Sequence, residues 1–321
     1  MPLKIVFCGT PAFALPTFRQ LLGQSDFQIQ GVVTQPDRPR GRGQAMASSA
    51  VKGAAVAAGI PVFQPEKIRA EEGLEYFRKL APDVVVIIAY GQIIPQRLID
   101  IPRLGWINLH GSLLPKYRGA APIHWAVANG ETRTGLTTMQ IDAGLDTGPT
   151  LLKQETRIGP DETSPELYER LAEAGAPLMV ETLRGLENGS LTATPQDNSL
   201  ATLAPPLKKE DGKIDWSFAA QKIYDRMRGF KPWPGTFSSF REKGCQLWGK
   251  PAAEADSAGS GRALSGAAPG SLFAVGHRLF AACGGATVLE IESIRIEGKK
   301  RMAIRDFLNG AHLKSGERFG E

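Results

Sequence analysis

Over the first half of the chain, short and nearly unbroken apolar runs alternate with longer stretches in which apolar residues recur every three or four positions. Residues 3–8, 29–34, 84–89 and 106–109 are rich in Val and Ile and read as buried strands. Between them, residues 11–22, 48–58 and 71–80 have the spacing and length of helices. This alternation predicts an α/β fold with a mostly parallel, Rossmann-like sheet and helices on both faces, because parallel strands need crossover connections that cover the sheet. Ligands of such sheets bind beyond the carboxyl ends of the strands, which directs attention to Gly9, Thr34, Tyr90 and the residues from Asn108 onward. Residues 135–141 read as a further strand. Residues 164–187 read as a long closing helix, with Asp161 and Ser164 as cap candidates and Asn188-Gly189 as its stop.

The pattern then changes. Residues 191–206 contain three prolines among many Ser, Thr and Ala, which suggests a catalytic domain over 1–189, a linker over 190–206 and a second domain over 207–321. In that last part a helical stretch, 218–228, precedes short β-like runs at 246–250, 272–275 and 288–291. They predict a small β-rich domain of OB-like barrel type. Residues 251–269 are mostly Ala, Gly and Ser, the composition of a surface loop.

Composition narrows the class. With 321 residues, 42% hydrophobic and 22% charged, the chain has ample material for a core and is not a disordered one. No run of 18 apolar residues offers a membrane span, and the first apolar run carries Lys4, which suits a strand better than a signal peptide. Cys8, Cys245 and Cys283 are too few and too scattered for a disulfide framework or a zinc site. A cytoplasmic, metal-free protein is expected. The 38 basic and 33 acidic residues leave a charge of +5, and its distribution is uneven. From Pro205 onward there are 19 basic and 13 acidic residues, leaving 19 against 20 before it. The basic excess therefore lies in the C-terminal third, where an anionic partner such as nucleic acid would find it.

Three places carry candidate chemistry. The first strand ends in Gly9-Thr10-Pro11 with Ala12 and Ala14 following, not in the glycine pattern that brings a backbone against pyrophosphate, so a tight turn is expected and not a dinucleotide site. Asn108 and His110 stand two apart at the end of a strand and project to one face. An amide donor beside an imidazole suits oxyanion stabilisation and proton transfer; a hydrogen-bonded structural pair is the other reading. Downstream, Asp142 and Asp146 sit in a loop with Gly144 and Gly148. Asp146 either orients His110, as a carboxylate does for a catalytic imidazole, or caps its own loop.

Taken together, these segments resemble the folate-dependent formyltransferases. The likeness is carried by Asn108-x-His110 followed by Ser112, Leu113, Leu114 and Pro115, and by the loop from Asp142 to Gly148. The segments Phe7-Cys-Gly-Thr-Pro11, Pro36-Asp-Arg38 with Gly41-Arg42-Gly43, and Pro82-Asp-Val-Val-Val86 with Ala89-Tyr-Gly-Gln92 extend it. The resemblance implies that Asn108, His110 and Asp146 are catalytic, that Ser112, Leu113, Leu114 and Pro115 contact the folate, and that 10-formyltetrahydrofolate donates the formyl group. Ile93 and Ile94 are then either walls of that pocket or core. Lys209-Glu-Asp-Gly-Lys-Ile-Asp-Trp216, Pro232-Trp-Pro-Gly235 and Gly298-Lys-Lys-Arg-Met302 match the tRNA-acting branch. The implied acceptor is the α-amino group of methionine on initiator tRNA, with Arg42 reaching the acceptor end. A formyltransferase for a small amine would need the first set of residues but not the basic C-terminal domain, and a pure RNA binder would leave the first set without purpose.

Overall fold

In a computed structural model of the chain, residues 1–40, 45–253 and 266–321 are described. They form two compact units. The first comprises Met1–Ile123, Arg133–Ile158 and Glu166–Pro205; the second comprises His124–Thr132, Gly159–Pro165 and Pro206–Glu321. Arg42 and the residues 254–265 of the low-complexity stretch lie outside the described residues.

The first unit is built on a seven-stranded sheet of β1 (Leu3–Gly9), β2 (Phe27–Val33), β5 (Val62–Phe63), β6 (Val84–Ile88), β7 (Trp106–His110), β8 (Arg133–Gln140) and β9 (Thr150–Arg157). Their order is β5-β2-β1-β6-β7-β8-β9. The first five strands pair in parallel, whereas β8 and β9 turn the far edge antiparallel. All five residues of β6 are buried, as a central parallel strand requires. A separate two-stranded ribbon joins β3 (Arg38–Arg40) to β4 (Ala45–Ala47).

Helices α1 (Leu15–Leu22), α2 (Ala50–Ala57), α3 (Glu71–Leu80) and α4 (Gln96–Ile99) connect these strands. The termini of α3 match its dipole, with Glu71 and Glu72 in the first turn and Arg78 and Lys79 in the last. Its Leu74 and Phe77 are buried, and Phe77 packs on Trp106 of β7 at 4.9 Å between ring centroids. The buried Trp106 indole donates to the Leu98 carbonyl at 2.8 Å. The strand that ends in Asn108 and His110 is thereby locked from below.

Helix α5 (Pro122–Ala128) and the long α6 (Ser164–Glu187) follow, and α6 ends at Gly189 in the left-handed region, φ 71°. The expected cap side chains serve elsewhere. Ser164 Oγ donates to the Gly229 and Lys231 carbonyls, and Asp161 accepts from the Tyr224 hydroxyl.

The second unit carries α7 (Ala220–Gly229) and a six-stranded antiparallel sheet of β10 (Phe237–Phe240), β11 (Lys243–Pro251), β12 (Leu272–Val275), β13 (Arg278–Cys283), β14 (Thr287–Ile296) and β15 (Met302–Ala303). Helix α8 (Ile304–Ala311) closes the order. Alternation along β11 buries Cys245, Leu247 and Gly249 on one face, which packs with Ile223 and Met227 of α7, and with Phe307 of α8, in one core. All three cysteines are free and buried. Burial pushes the Cys245 and Cys283 thiols up to about 12.

Candidate active site

β7 places Asn108 and His110 on one face at the carboxyl end of the sheet, opposite Met139 and Thr137 of β8. Asn108 is half-buried, and its amide makes no protein hydrogen bond among the described residues. The two side chains are therefore not a mutually bonded structural pair. His110 is 5% exposed. Its Nε2 lies 2.9 Å from the Tyr117 carbonyl oxygen. A carbonyl only accepts, so Nε2 carries the hydrogen and Nδ1 is the ring nitrogen left for other work. Nδ1 faces Asp146 Oδ2 at 3.6 Å. The two residues, 36 positions apart in sequence, thus meet at one point.

Asp146 sits in the left-handed region, φ 52°, and its Oδ2 also accepts from the Gly119 N–H at 2.8 Å. Its own loop is closed by a different acid. Asp142 accepts from the Gly144 N–H at 3.0 Å and from the Thr147 hydroxyl at 2.8 Å. The loop returns tightly against β8, where a Cβ at Gly148 would stand 1.9 Å from the Gln140 carbonyl oxygen. Of the two readings of Asp146, the geometry favours the one that faces His110, with Asp142 as the capping residue.

Ser112, Leu113, Leu114 and Pro115 form the turn that leaves β7. Ser112 and Leu114 are fully or almost fully buried. The Ser112 hydroxyl donates to the Lys116 carbonyl, its own carbonyl accepts from Thr137 Oγ1, and Thr137 Oγ1 in turn accepts from the Leu114 N–H. The serine hydroxyl thus serves the turn itself. Lys153 Nζ donates to the Leu114 carbonyl at 2.6 Å. Ile94 belongs to the core, whereas Ile93 is 85% exposed.

The other strand ends are closed by the chain's own polar groups. Thr10 Oγ1 accepts from the Gln35 N–H, Gln35 Nε2 donates to the Tyr90 carbonyl, and Gln64 Nε2 reaches Thr34, Gln35 and Asp37. The Gly9-Thr10-Pro11 segment is accordingly a strand-to-helix turn knitted to its neighbours. Among the described residues no group of three or more His, Cys, Asp or Glu is placed to hold a metal ion. No helix among them is long and apolar enough to cross a membrane.

Sequence reasoning missed several supporting groups. Arg118 is buried, and its guanidinium donates to Gln196 Oε1 and Asn198 Oδ1. Gln196 Nε2 donates to the carbonyls of Asp146 and Gly148 at 2.9 and 2.7 Å. Nothing local in a stretch of Ser, Thr, Ala and Pro marks Gln196 as part of a site.

Residues 3–183 match the formyl transferase family, and residues 206–312 match the formyl transferase C-terminal domain. The chain belongs to the formyl transferase family. Along almost its whole length it is similar to methionyl-tRNA formyltransferases. It is 52% identical to that of Acidobacterium capsulatum over 99% of this chain and 100% of the relative, and 50% identical to that of Solibacter usitatus over 99% of each. Among solved structures, the N-formyltransferase of Helicobacter canadensis shares the fold, with a TM-score of 0.64 at 17% identity over 90% of this chain and 98% of the other.

Proposed function

We propose that this chain is a cytoplasmic enzyme of translation initiation that transfers the formyl group of 10-formyltetrahydrofolate to the α-amino group of methionine on initiator tRNA. The observation that carries this reading is the convergence of Asn108, His110 and Asp146 at the end of β7 and its following loops, in a chain about half identical to methionyl-tRNA formyltransferases from end to end. That the Helicobacter canadensis neighbour was solved with folinic acid agrees with a folate as donor.

In this reaction the amine nitrogen bonds to the formyl carbon, the carbonyl oxygen gains negative charge, and the attacking nitrogen becomes an ammonium. The bond from the formyl carbon to N10 of the donor then breaks, and the leaving nitrogen takes up a proton. Asn108, whose amide is unengaged, donates to the developing oxyanion; one such donor is worth ~10²–10³-fold in rate. His110 takes the ammonium proton at Nδ1, where Asp146 lies across from it to stabilise the imidazolium, and hands a proton on to the leaving nitrogen. A positioned base contributes ~10²–10⁴-fold. Tyr117, through its carbonyl, fixes the ring orientation that aims Nδ1 at Asp146. Ser112, Leu113, Leu114 and Pro115 wall the donor site, with Ser112 acting through the shape of the turn and not through its hydroxyl. The first unit, which runs on through the expected linker to Pro205, carries the chemistry, and 207–321 hold the tRNA through its phosphates while Arg42 addresses the acceptor end.

In the C-terminal part, Arg241, Lys250, Arg278 and Arg318 are paired with carboxylates. Arg301 stacks on Trp248 at 4.0 Å. Lys299 and Lys300 are exposed, and their side chains have no partner among the described residues, which leaves them free for phosphate.

Purified protein given labelled donor together with initiator Met-tRNA, free methionine or a nucleotide amino sugar tests the reading. Label is expected on Met-tRNA alone; label on the amino sugar alone would replace this reading with a small-substrate one. Measured against salt, tRNA affinity should fall steeply, and Lys300→Glu should flatten the slope by about one unit per lost contact.

A further inference from the structure

The segment 194–204, which the sequence presents as a connection, is stitched to the first unit at three points. Thr194 exchanges two backbone hydrogen bonds of 2.8 Å with Thr150 at the start of β9. At the other end the Arg118 N–H donates to the Thr202 carbonyl at 2.8 Å, the Ala204 N–H donates to the Arg118 carbonyl at 2.7 Å, and the Tyr117 N–H donates to Thr202 Oγ1 at 2.8 Å. Between these anchors Gln196 is held by its oxygen and works with its nitrogen. Arg118 Nε and one terminal nitrogen both donate to Gln196 Oε1, at 3.1 and 2.8 Å. This fork points Nε2 at two carbonyls of the loop that carries Asp146.

Among the described residues, the two groups that hydrogen-bond the His110 ring and the Asp146 carboxylate both lie on a loop held by this segment. Tyr117, whose carbonyl receives His110 Nε2, and Gly119, whose N–H holds Asp146 Oδ2, sit in the stretch bonded to Thr202 and Ala204. At Gly119, φ 120°, a Cβ would stand 2.7 Å from the Ala204 carbonyl oxygen, so the two backbones are in direct contact. Asp146 itself, at φ 52° without a glycine's freedom, needs an outside restraint to stay there.

We infer that residues 194–204 are a strap belonging to the active site, and that Gln196 is the positioning residue that sets Asp146 against His110. The inference rests on the formyl-transfer reading above for its kinetic consequence. Gln196 touches no reacting atom; it acts by holding the Asp146 backbone, and a misplacement of about 1 Å at a reacting group costs ~10²-fold.

The test uses the full chain with Gln196→Glu and Gln196→Leu. Glu has the size and shape of Gln and keeps an acceptor for Arg118, but it has no hydrogen to give the two carbonyls. If the residue merely filled space, Glu would be the mild replacement. Both variants are instead expected to lose kcat by about tenfold to a hundredfold, with KM for donor and Met-tRNA within about threefold, the signature of a lost interaction specific to the chemical step. In an Asp146→Asn background the same substitutions should cost nothing further, because residues acting as a unit are not additive. Amide exchange across residues 142–148 should quicken while Tm stays within a few degrees. Retention of kcat within about threefold in Gln196→Glu would overturn the inference, as would full additivity with Asp146→Asn. Absence of Met-tRNA formylation by the unaltered chain would instead count against the function itself, and the exchange measurement would still report whether the strap holds the loop.

Discussion

Two regions bring the site together in opposite ways. β7 carries Asn108 and His110 on a strand whose place is set by burial: Trp106 and Ile107 are fully buried, with parallel β6 on one side and antiparallel β8 on the other. The strap 194–204 has almost no apolar anchor, and Leu200 and Leu203 are 61% and 71% exposed. It is held by polar bonds from Thr150, Pro115, Tyr117, Arg118 and Ala121. The first region resists change because removing packed atoms costs several kcal/mol. The second is specified bond by bond, each worth about 1 kcal/mol, which permits fine adjustment of Asp146 at little cost to the fold.

Trp106→Ala gives the largest stability effect on the β7 side. It removes a fully buried ring, its contact with Phe77 and the bond to Leu98. A loss of about 3–5 kcal/mol is expected in urea unfolding; a loss below about 1 kcal/mol would mean that β7 is not the rigid half of the site. The Gln196 substitutions sharpen the contrast from the other side, with turnover falling much further than stability.

The smallest effect lies where α6 hands over to the strap. Arg184 of α6 is bonded to both oxygens of Asp26 and to Gln24, and its guanidinium holds the Asp26 carboxyl below the usual carboxylate range. The sign follows from that direction. The stabilisation is present above the ordinary carboxylate pKa and is lost as pH falls through the lowered one. Asp26→Asn should therefore reduce stability slightly at neutral pH, as expected for so exposed a pair, and in thermal melts the gap between the two proteins should close as pH falls below the ordinary carboxylate range. A gap that widens toward acid would reverse the sign and remove this pair as an anchor.

What the sequence made legible follows the same division. Helices α3 and α6 have the boundaries the pattern predicts, 71–80 and 164–187, because apolar spacing and end charges act locally. The central strands β1, β2, β6 and β7 were legible as Val- and Ile-rich runs. β9 was not, because an edge strand with burial in only its first residues has no continuous apolar signal. β13 was missed although Leu279 to Cys283 are all buried, since the run is short and mixes Ala with Cys. Asp161 and Ser164 have the local chemistry of caps but are used by distant partners. Asn108 and His110 were visible because two-residue spacing on a strand fixes a common face. Gln196 and Arg118 were invisible as site residues, because their role depends on contacts 48 to 78 residues away in sequence.

The central claim is that the His110–Asp146 pair moves the proton while the formyl group is transferred to Met-tRNA. Rapid-quench, single-turnover formylation with enzyme in excess over initiator Met-tRNA and with saturating formyl donor isolates that step from binding and release. His110→Ala, folded by circular dichroism and binding tRNA normally, is expected to slow the transfer by about 10²-fold or more. Transfer at a rate within about threefold of the unaltered chain would contradict it.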